Sequence, residues 1–197
     1  MSPAVPDEAP DDPFELLTAW LPANNDPARP PMTLATVSAD GRPNARTVLL
    51  SEYDTSGFWF HTDSRSAKIA EVDATAHAAL VIHLPALTTQ IVVQGPVLPA
   101  TPDEDERVYA ARSPYLRRLA WLNTAELAAL PLAERQKAWA RSAAQRPDND
   151  LHPPATWTGC KVVPERIKLW IGREDTASRR FAYTRTPSGW ALALLPG

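Results

Sequence analysis

Two short apolar runs, each ending in polar side chains, constrain the fold of this chain most strongly. The first reads Arg46-Thr-Val-Leu-Leu-Ser51, and the second reads Gly57-Phe-Trp-Phe-His-Thr62. Runs of this length, rich in β-branched and aromatic residues, are typical of strands and are too short for helices. The stretch Asp54-Thr-Ser-Gly57 between them predicts a turn. The sequence therefore predicts adjacent strands, as in a small β-barrel.

A helix start follows the second strand and carries a basic residue. Ser64 or Ser66 can cap this helix, which places Lys68 beside the free N–H groups of its first turn. Arg46 could converge on the same point from the first strand. Two cations at a helix N-terminus indicate an anion site, and ordinary solvated surface charges are the alternative interpretation.

The rest of the chain is mainly β with a few helices. Strands are predicted over 32–38, 44–53, 58–62, 78–84, 88–97, 159–163, 166–172, 181–186 and 190–195. Helices are predicted over 14–21, around Lys68, and over 101–112, 115–130 and 132–144. Many short strands with few intervening helices favour a β-barrel decorated by several α-helices over a parallel α/β sheet.

Composition limits the classes of function. The 197 residues, 44% hydrophobic, suit a single domain over 12–197, preceded by an acidic, proline-rich segment over 1–11 that we expect to be disordered. A net charge of −3 gives no basic field for nucleic acid. The most apolar window, 78–93, is interrupted by polar residues and proline, so no membrane span is predicted.

The cysteine, histidine and glycine residues narrow the chemistry further. Cys160 is the only cysteine, which predicts a chain without disulfides in the reducing cytoplasm, as does an N-terminus without signal-peptide features. The four histidines lack ligand spacing, and we expect no metal site. The seven glycines form no dinucleotide-binding or phosphate-loop motif.

From Asp12 to Leu195 the chain resembles the pyridoxine/pyridoxamine 5′-phosphate oxidase family, which has the FMN-binding split-barrel fold. The order and spacing of many short pieces carry this resemblance. They are Asp12-Pro-Phe, Trp20-Leu, Leu34-Ala-Thr-Val37, Asp40-Gly-Arg-Pro43, Arg46-Thr-Val-Leu-Leu50, Gly57 to Thr62, Ser66-Ala-Lys68, Gln90-Ile-Val-Val with Gly95, Trp157-Thr-Gly159, Pro164, Ile167-Lys-Leu-Trp170, Arg180-Phe-Ala-Tyr183 and Trp190.

The resemblance implies an FMN site shared by two subunits of a homodimer. Arg46 and Lys68 match the family's ligands of the FMN phosphate. The family positions that line the flavin and its ribityl chain correspond to Val48, Leu49, Leu50, His61 and Thr62. Gln90, Trp170 and Arg180 match further flavin contacts, the last two reaching in from the second subunit. The family's Gln-Ser pair at the flavin is Ala125-Glu126 here.

The family's substrate positions are largely changed. Its lysine after Val-Leu-Leu is Ser51, its phosphate-binding tyrosine and serine are Val108 and Leu116, and only the arginine at Arg112 is retained. Its C-terminal Arg-Leu-His-Asp-Arg aligns with Thr176-Ala-Ser-Arg-Arg180, which puts Ser178 at the position of a ring contact. We therefore expect Ser51, Arg112 and Ser178 to border a more apolar substrate pocket.

The resemblance implies an FMN-dependent oxidoreductase that transfers hydride between a small organic substrate and flavin N5, with catalytic residues not identified. One alternative is a true pyridoxine/pyridoxamine 5′-phosphate oxidase in which Arg173 or Arg179 replaces the missing cations. Others are a flavin-binding protein without turnover and a deazaflavin-dependent reductase. These readings differ in whether the flavin is reduced by vitamin B6 phosphates, by NAD(P)H or by neither.

Overall fold

Ten antiparallel strands form the framework of the computed structural model, which describes residues 6–197. The strands are β1 (Pro31–Val37), β2 (Pro43–Leu49), β3 (Glu52–Asp54), β4 (Gly57–Asp63), β5 (His77–Leu84), β6 (Thr89–Pro99), β7 (Trp157–Val162), β8 (Arg166–Ile171), β9 (Arg179–Thr186) and β10 (Gly189–Pro196). The α-helices are α1 (Pro13–Trp20), α2 (Ala67–Thr75), α3 (Pro102–Ala111), α4 (Pro114–Leu122), α5 (Ala125–Ala128) and α6 (Leu132–Gln145), with 3-10 turns at Pro85–Leu87 and Asp148–Asp150. The predicted helix-decorated β fold is confirmed.

The sheet divides at β6, which is long enough to serve two sets of neighbours. Its first part, Thr89–Gln94, pairs with β8, and its last part, Val97–Pro99, pairs with β7. One branch runs in the order β10-β9-β8-β6-β5-β1-β2, and the other passes from β6 through β7 and β4 to β3. Strands that curl away from a shared partner can enclose a core without a continuous closed barrel.

The chain changes sheet partners between β2 and β3. The predicted strand over 44–53 is wrong at this point, because the Leu50 N–H donates to the Pro30 carbonyl whereas the Ser51 N–H donates to the Trp59 carbonyl. The backbone thus leaves β1 and joins β4 within two residues. Leu50 is buried in the core, and Ser51 lies where the two branches of the sheet meet.

The hydrophobic core lies between the two branches and is closed by α1. Pro13 opens this helix, and the Asp12 carboxylate caps it by accepting from the Phe14 N–H at 2.9 Å. Phe14 packs against Phe58 with ring centroids 6.1 Å apart, and Leu17 is completely buried. Burial of each such side chain stabilises the fold by about 1.5–3 kcal/mol.

The helical segment after β6 is divided more finely than the sequence pattern indicates. Thr101 and Glu104 form the expected capping box of α3. The predicted helix over 115–130 is wrong, because α4 ends at Leu122 and a new helix, α5, starts after Thr124, whose hydroxyl accepts from the Leu127 N–H. A local side-chain cap outcompetes continuation of the apolar periodicity here.

The N-terminal segment contacts β9. Of residues 1–11, predicted to be a disordered tail, the first five lie outside the described residues. In the remainder, the Pro10 carbonyl accepts from the Tyr183 hydroxyl at 3.0 Å, and Asp7 lies 3.1 Å from the Arg179 guanidinium.

Candidate active site

A hollow of about 260 Å³ lies at the N-terminus of α2. Thr62, Ser66 and Lys68 line one end of it. Ser66 occupies the N-cap position, but its hydroxyl does not cap the helix and lies 3.5 Å from the Thr62 hydroxyl. The Lys68 ammonium donates to the same Thr62 oxygen at 3.0 Å. Uncapped helix N–H groups, two hydroxyls and an ammonium together form a set of anion-binding groups.

Lys68 is a partly desolvated cation. Burial is the main reason that the pKa of its ammonium is lowered, and the nearby Arg46 charge lowers it further. Among the described residues, no carboxylate lies within ion-pair distance of the Lys68 Nζ. An anion entering this end of the hollow would therefore restore interactions that the ammonium lacks.

Arg46 is close to Lys68 but is held by an acidic partner. It pairs with Glu71 of α2 at 2.5 Å and also donates to the Thr36 hydroxyl. The Thr36 hydroxyl, the Asn44 amide and Arg46 all donate to this carboxylate, and they lower the Glu71 pKa to about 2. Glu71 thus neutralises Arg46, and it fixes that side chain between β1, β2 and α2.

His61 joins the hollow to the junction between β2 and β3. Its Nδ1 lies 2.9 Å from the Ser51 hydroxyl, and its Nε2 lies 3.3 Å from Asp105 of α3. The ring stacks on Trp157 with centroids 5.1 Å apart. Burial is the main cause of a lowered pKa for His61, outweighing the opposite effect of Asp105, so the imidazole is neutral at pH 7.

A second hollow of about 140 Å³ adjoins the first, and both are bordered by Leu49, Arg112 and Leu116. The smaller hollow is lined mostly by apolar groups, including Val108, together with Ser51, Glu52, Arg29 and Arg112. Burial lowers the Arg112 pKa to about 10, so this side chain stays cationic at pH 7. The guanidinium lies over Trp157, 4.5 Å from its centroid.

The other predicted cofactor positions lie elsewhere in the protomer. Gln90, Trp170 and Arg180 are directly opposite one another on β6, β8 and β9, so they form one row on the sheet face away from the core. They line neither hollow. Ser178 also lines neither, and its carbonyl accepts from the Gly197 N–H.

Apart from the four residues just described, most of the predicted site residues lie at the two hollows. Val48, Leu49, His61, Thr62, Lys68 and Arg112 line the larger hollow, Ser51 lines the smaller one, and Arg46 is adjacent to Lys68. Leu50 belongs to the core instead. Ala125 and Glu126 border a further depression beside Ser66, so the departure from the family's Gln-Ser pair lies near the anion-binding end.

Sequence reasoning missed Arg29, Asp105 and the stacking role of Trp157. Asp105 is one of four consecutive acidic residues at the start of α3, where acids also stabilise a helix through its dipole. Arg29 lies in a proline-rich loop whose path the sequence does not predict. The position of Trp157 within Trp157-Thr-Gly159 was a signal that could have been used, because Gly159 brings β7 close to His61.

In the described part of the chain, no helix is both long and apolar enough to cross a membrane.

The family comparisons cover nearly the whole protein. Residues 26–151 match the family model described as pyridoxamine 5′-phosphate oxidase, and residues 157–196 match the model described as the pyridoxine 5′-phosphate oxidase C-terminal dimerisation region.

Curated relatives agree with the family models. A pyridoxine/pyridoxamine 5′-phosphate oxidase of Pseudomonas fluorescens (strain SBW25) is 34% identical over 188 residues, which cover 93% of this chain and 87% of the relative. A protein of the same name from Burkholderia multivorans is 36% identical over 187 residues, covering 92% and 83%.

Solved structures share the fold. PhzG from Burkholderia lata, in complex with tetrahydrophenazine-1-carboxylic acid, superposes with a TM-score of 0.77 at 24% identity, covering 97% of this chain and 95% of PhzG. A pyridoxamine 5′-phosphate oxidase-related, FMN binding protein from Nostoc punctiforme has a TM-score of 0.59 at 20% identity, with coverages of 85% and 88%. The split-barrel prediction is confirmed, and the chain belongs to the pyridoxamine 5′-phosphate oxidase family of oxidoreductases.

Proposed function

We propose that this protein is an FMN-dependent oxidoreductase that removes hydride from a small, planar organic substrate. The observation that carries the proposal is the pair of adjoining hollows. One contains anion-binding groups at a helix N-terminus, and the other is a mostly apolar recess with two arginines. A cofactor in the larger hollow and a substrate in the smaller one would meet beside Leu49, Arg112 and Leu116.

The residues present fit FMN. Lys68, Ser66, Thr62 and the first N–H groups of α2 would hold the phosphate, and Arg46 would lie behind them in its pair with Glu71. The strand edge from Val48 to Leu49 would line the flavin. When bound, FMN supplies a hydride acceptor at N5, while the protein supplies binding, orientation and electrostatics.

We further propose that the functional unit is a homodimer with a flavin at each shared site. Gln90, Trp170 and Arg180 lie on a face of the sheet that is exposed to half-buried in the single protomer. These residues line neither hollow of their own protomer, so they would serve the site of the partner. The match of residues 157–196 to a dimerisation region supports this arrangement.

The substrate is proposed to be uncharged or weakly charged. Val108 and Leu116 line the smaller hollow, where a phosphate dianion would lose water against apolar side chains. Turnover of pyridoxine or pyridoxamine 5′-phosphate is the second candidate, because Arg29 adds a cation beside Arg112. Arg173 and Arg179, considered above as replacement cations, instead pair with Asp175 and Asp7.

Anaerobic reduction of the protein-bound flavin by each vitamer distinguishes these candidates. We expect millimolar pyridoxine 5′-phosphate and pyridoxamine 5′-phosphate to bleach the flavin slowly or not at all, and pyridoxal 5′-phosphate to bind weakly. Rapid bleaching at micromolar vitamer would favour the second candidate, and loss of that bleaching in Arg29→Met would identify the compensating cation. A purified protein that binds no FMN would contradict the proposal as a whole.

A further inference from the structure

Ser51, His61 and Asp105 form a chain of polar side chains from three separate elements. Ser51 comes from the β2–β3 junction, His61 from β4 and Asp105 from α3. The Ser51 Oγ lies 2.9 Å from His61 Nδ1, and His61 Nε2 lies 3.3 Å from the Asp105 Oδ1. Ser51 is only 3% exposed and His61 only 7% exposed. Water therefore has little access to Ser51 and His61, whereas the Asp105 side chain is 21% exposed.

The surroundings of the imidazole define where its proton lies. His61 Nε2 and Asp105 Oδ1 are both buried and have no hydrogen-bond partner among the described residues, so they face only each other. Two bare lone pairs at this distance would repel, hence Nε2 carries the hydrogen and Nδ1 is free to accept from the Ser51 hydroxyl. The charged groups around His61 are Asp105, Arg112 and Glu52.

Gly159 of β7 makes the contact between His61 and Asp105 possible. A Cβ atom at this position would lie 2.5 Å from His61 Nε2 and 2.6 Å from Asp105 Oδ1. Both distances are far below van der Waals contact, so any side chain here would push the two groups apart. The backbone of β7 at Gly159 therefore packs directly against both His61 and Asp105.

The chain opens towards both hollows. Ser51 lines the smaller hollow and His61 lines the larger one. Arg112 borders both, and its guanidinium donates to the Ser51 Oγ at 3.4 Å. Arg112 and Asp105 therefore lie at opposite ends of the chain. A substrate in the smaller hollow would thus meet the Ser51 hydroxyl next to a fixed positive charge.

We propose that Ser51 and His61 accept the proton that the substrate releases as its hydride leaves, and that Asp105 is a positioning residue for His61. This inference rests on the proposed function and restricts the substrate class to amines or alcohols with hydrogen on the reacting carbon. The C–H bond breaks and its electron pair passes with the hydrogen to the flavin. The N–H or O–H bond breaks, and its electron pair forms the C=N or C=O bond.

The released proton goes to Ser51 Oγ while the Ser51 hydroxyl proton passes to His61 Nδ1. The imidazolium that results lies beside the Asp105 carboxylate, which stabilises the new charge. General-base assistance of this kind contributes about 10²- to 10⁴-fold to a rate. A bare Nδ1 facing Ser51 is required, which makes the tautomer of His61 the quantity to measure.

Nitrogen-15 NMR of the histidine rings tests the positioning role without any substrate. In the FMN-loaded protein, with His61→Gln identifying the signal, we expect the neutral Nε2–H tautomer at pH 7. Asp105→Asn should populate the Nδ1–H tautomer, because its amide can donate to Nε2. Gly159→Ala should also disturb the tautomer by separating the pair. Asp103→Asn, the same change at an exposed site on α3, should have no effect.

A charged His61 at pH 7, or an unchanged tautomer in both Asp105→Asn and Gly159→Ala, would overturn the proposal. The proton-accepting role is tested by flavin reduction with two probes, NADH and pyridoxamine, a planar amine without the phosphate that the smaller hollow disfavours. The amine must lose a hydride and a proton, whereas NADH gives up a hydride alone. Ser51→Ala and Asp105→Asn should slow reduction by the amine at least about 100-fold and leave reduction by NADH within about threefold.

Equal slowing with both donors would mean that these residues only support the fold, and the proposal would be wrong. If the wild-type flavin is reduced by neither probe, the proposed oxidoreductase function fails. The NMR result still decides the positioning role in that case, so the two failures can be told apart.

Discussion

Replacement of Glu71 by glutamine should weaken the fold at neutral pH and much less in acid. The carboxylate is 8% exposed and accepts from the Thr36 hydroxyl at 2.5 Å, from the Asn44 amide at 2.8 Å and from the Arg46 guanidinium at 2.5 Å. These donors, with Thr36 having the largest effect, lower the Glu71 pKa from 4.5 to about 2. The difference between these two values corresponds to roughly 3 kcal/mol of stability at pH 7.

The sign of the pH dependence follows from the direction of this change. A carboxyl whose pKa is lower in the folded state stabilises the fold fully above its unfolded pKa, and it loses that contribution as the pH falls through its folded pKa. The advantage of wild type over Glu71→Gln should therefore decline from roughly 3 kcal/mol at pH 7 to roughly 1.5 kcal/mol at pH 3.

Urea denaturation of both proteins at pH 7 and at half-unit steps down to pH 3 measures this difference. Glu106→Gln makes the same chemical change at an exposed site on α3 and should follow wild type within about 0.5 kcal/mol throughout. The reasoning is refuted if Glu71→Gln matches wild type at pH 7, or if the difference between them is the same at every pH.

Three further outcomes are expected. Lys68→Met should weaken FMN binding about 10- to 100-fold in a fluorescence titration, because a charge-assisted hydrogen bond to the phosphate is lost. The control variant Lys137→Met, which removes an exposed pair with Glu134, should bind FMN as wild type does. Equal affinities of the two variants would place the phosphate elsewhere. Light scattering of the flavin-loaded protein at low micromolar concentration should give a dimer, and a flavin-bound monomer would contradict the shared site. Burial raises the Cys160 pKa to about 11, so a thiol reagent at pH 8 should label this residue only after denaturation, and rapid native labelling would contradict its enclosure.

Several features could be predicted from sequence because they depend on local patterns. Alternating apolar residues fix which face of β6 is buried, and the Asp12 and Thr101 caps locate the starts of α1 and α3. The resemblance supplied Lys68, Thr62 and His61 as one neighbourhood, and the structure brings these three together. The proposed cofactor roles of these residues remain predictions.

Local patterns were insufficient where the chain exchanges one long-range partner for another. The apolar run through Leu50 and Ser51 looks like one strand, yet the backbone changes from β1 to β4 there, because Ser51 finds its hydrogen-bond acceptor at Trp59. The same limit applies to the break between α4 and α5, where the Thr124 cap ends an apolar periodicity.

The sequence by itself determined the β-rich class and the helix start that carries Ser66 and Lys68, because both depend on residue type and short spacing. The expectation that polar groups are lost from the substrate positions came from the family resemblance and remains a prediction. Only the tertiary structure placed Asp105 against His61, Arg29 beside Arg112, and Glu71 under Arg46. Those contacts join residues 25 to 83 positions apart, and their geometry is set by how β4, β7 and the helices pack. No periodicity along the chain encodes such distances, because packing of the whole core decides them.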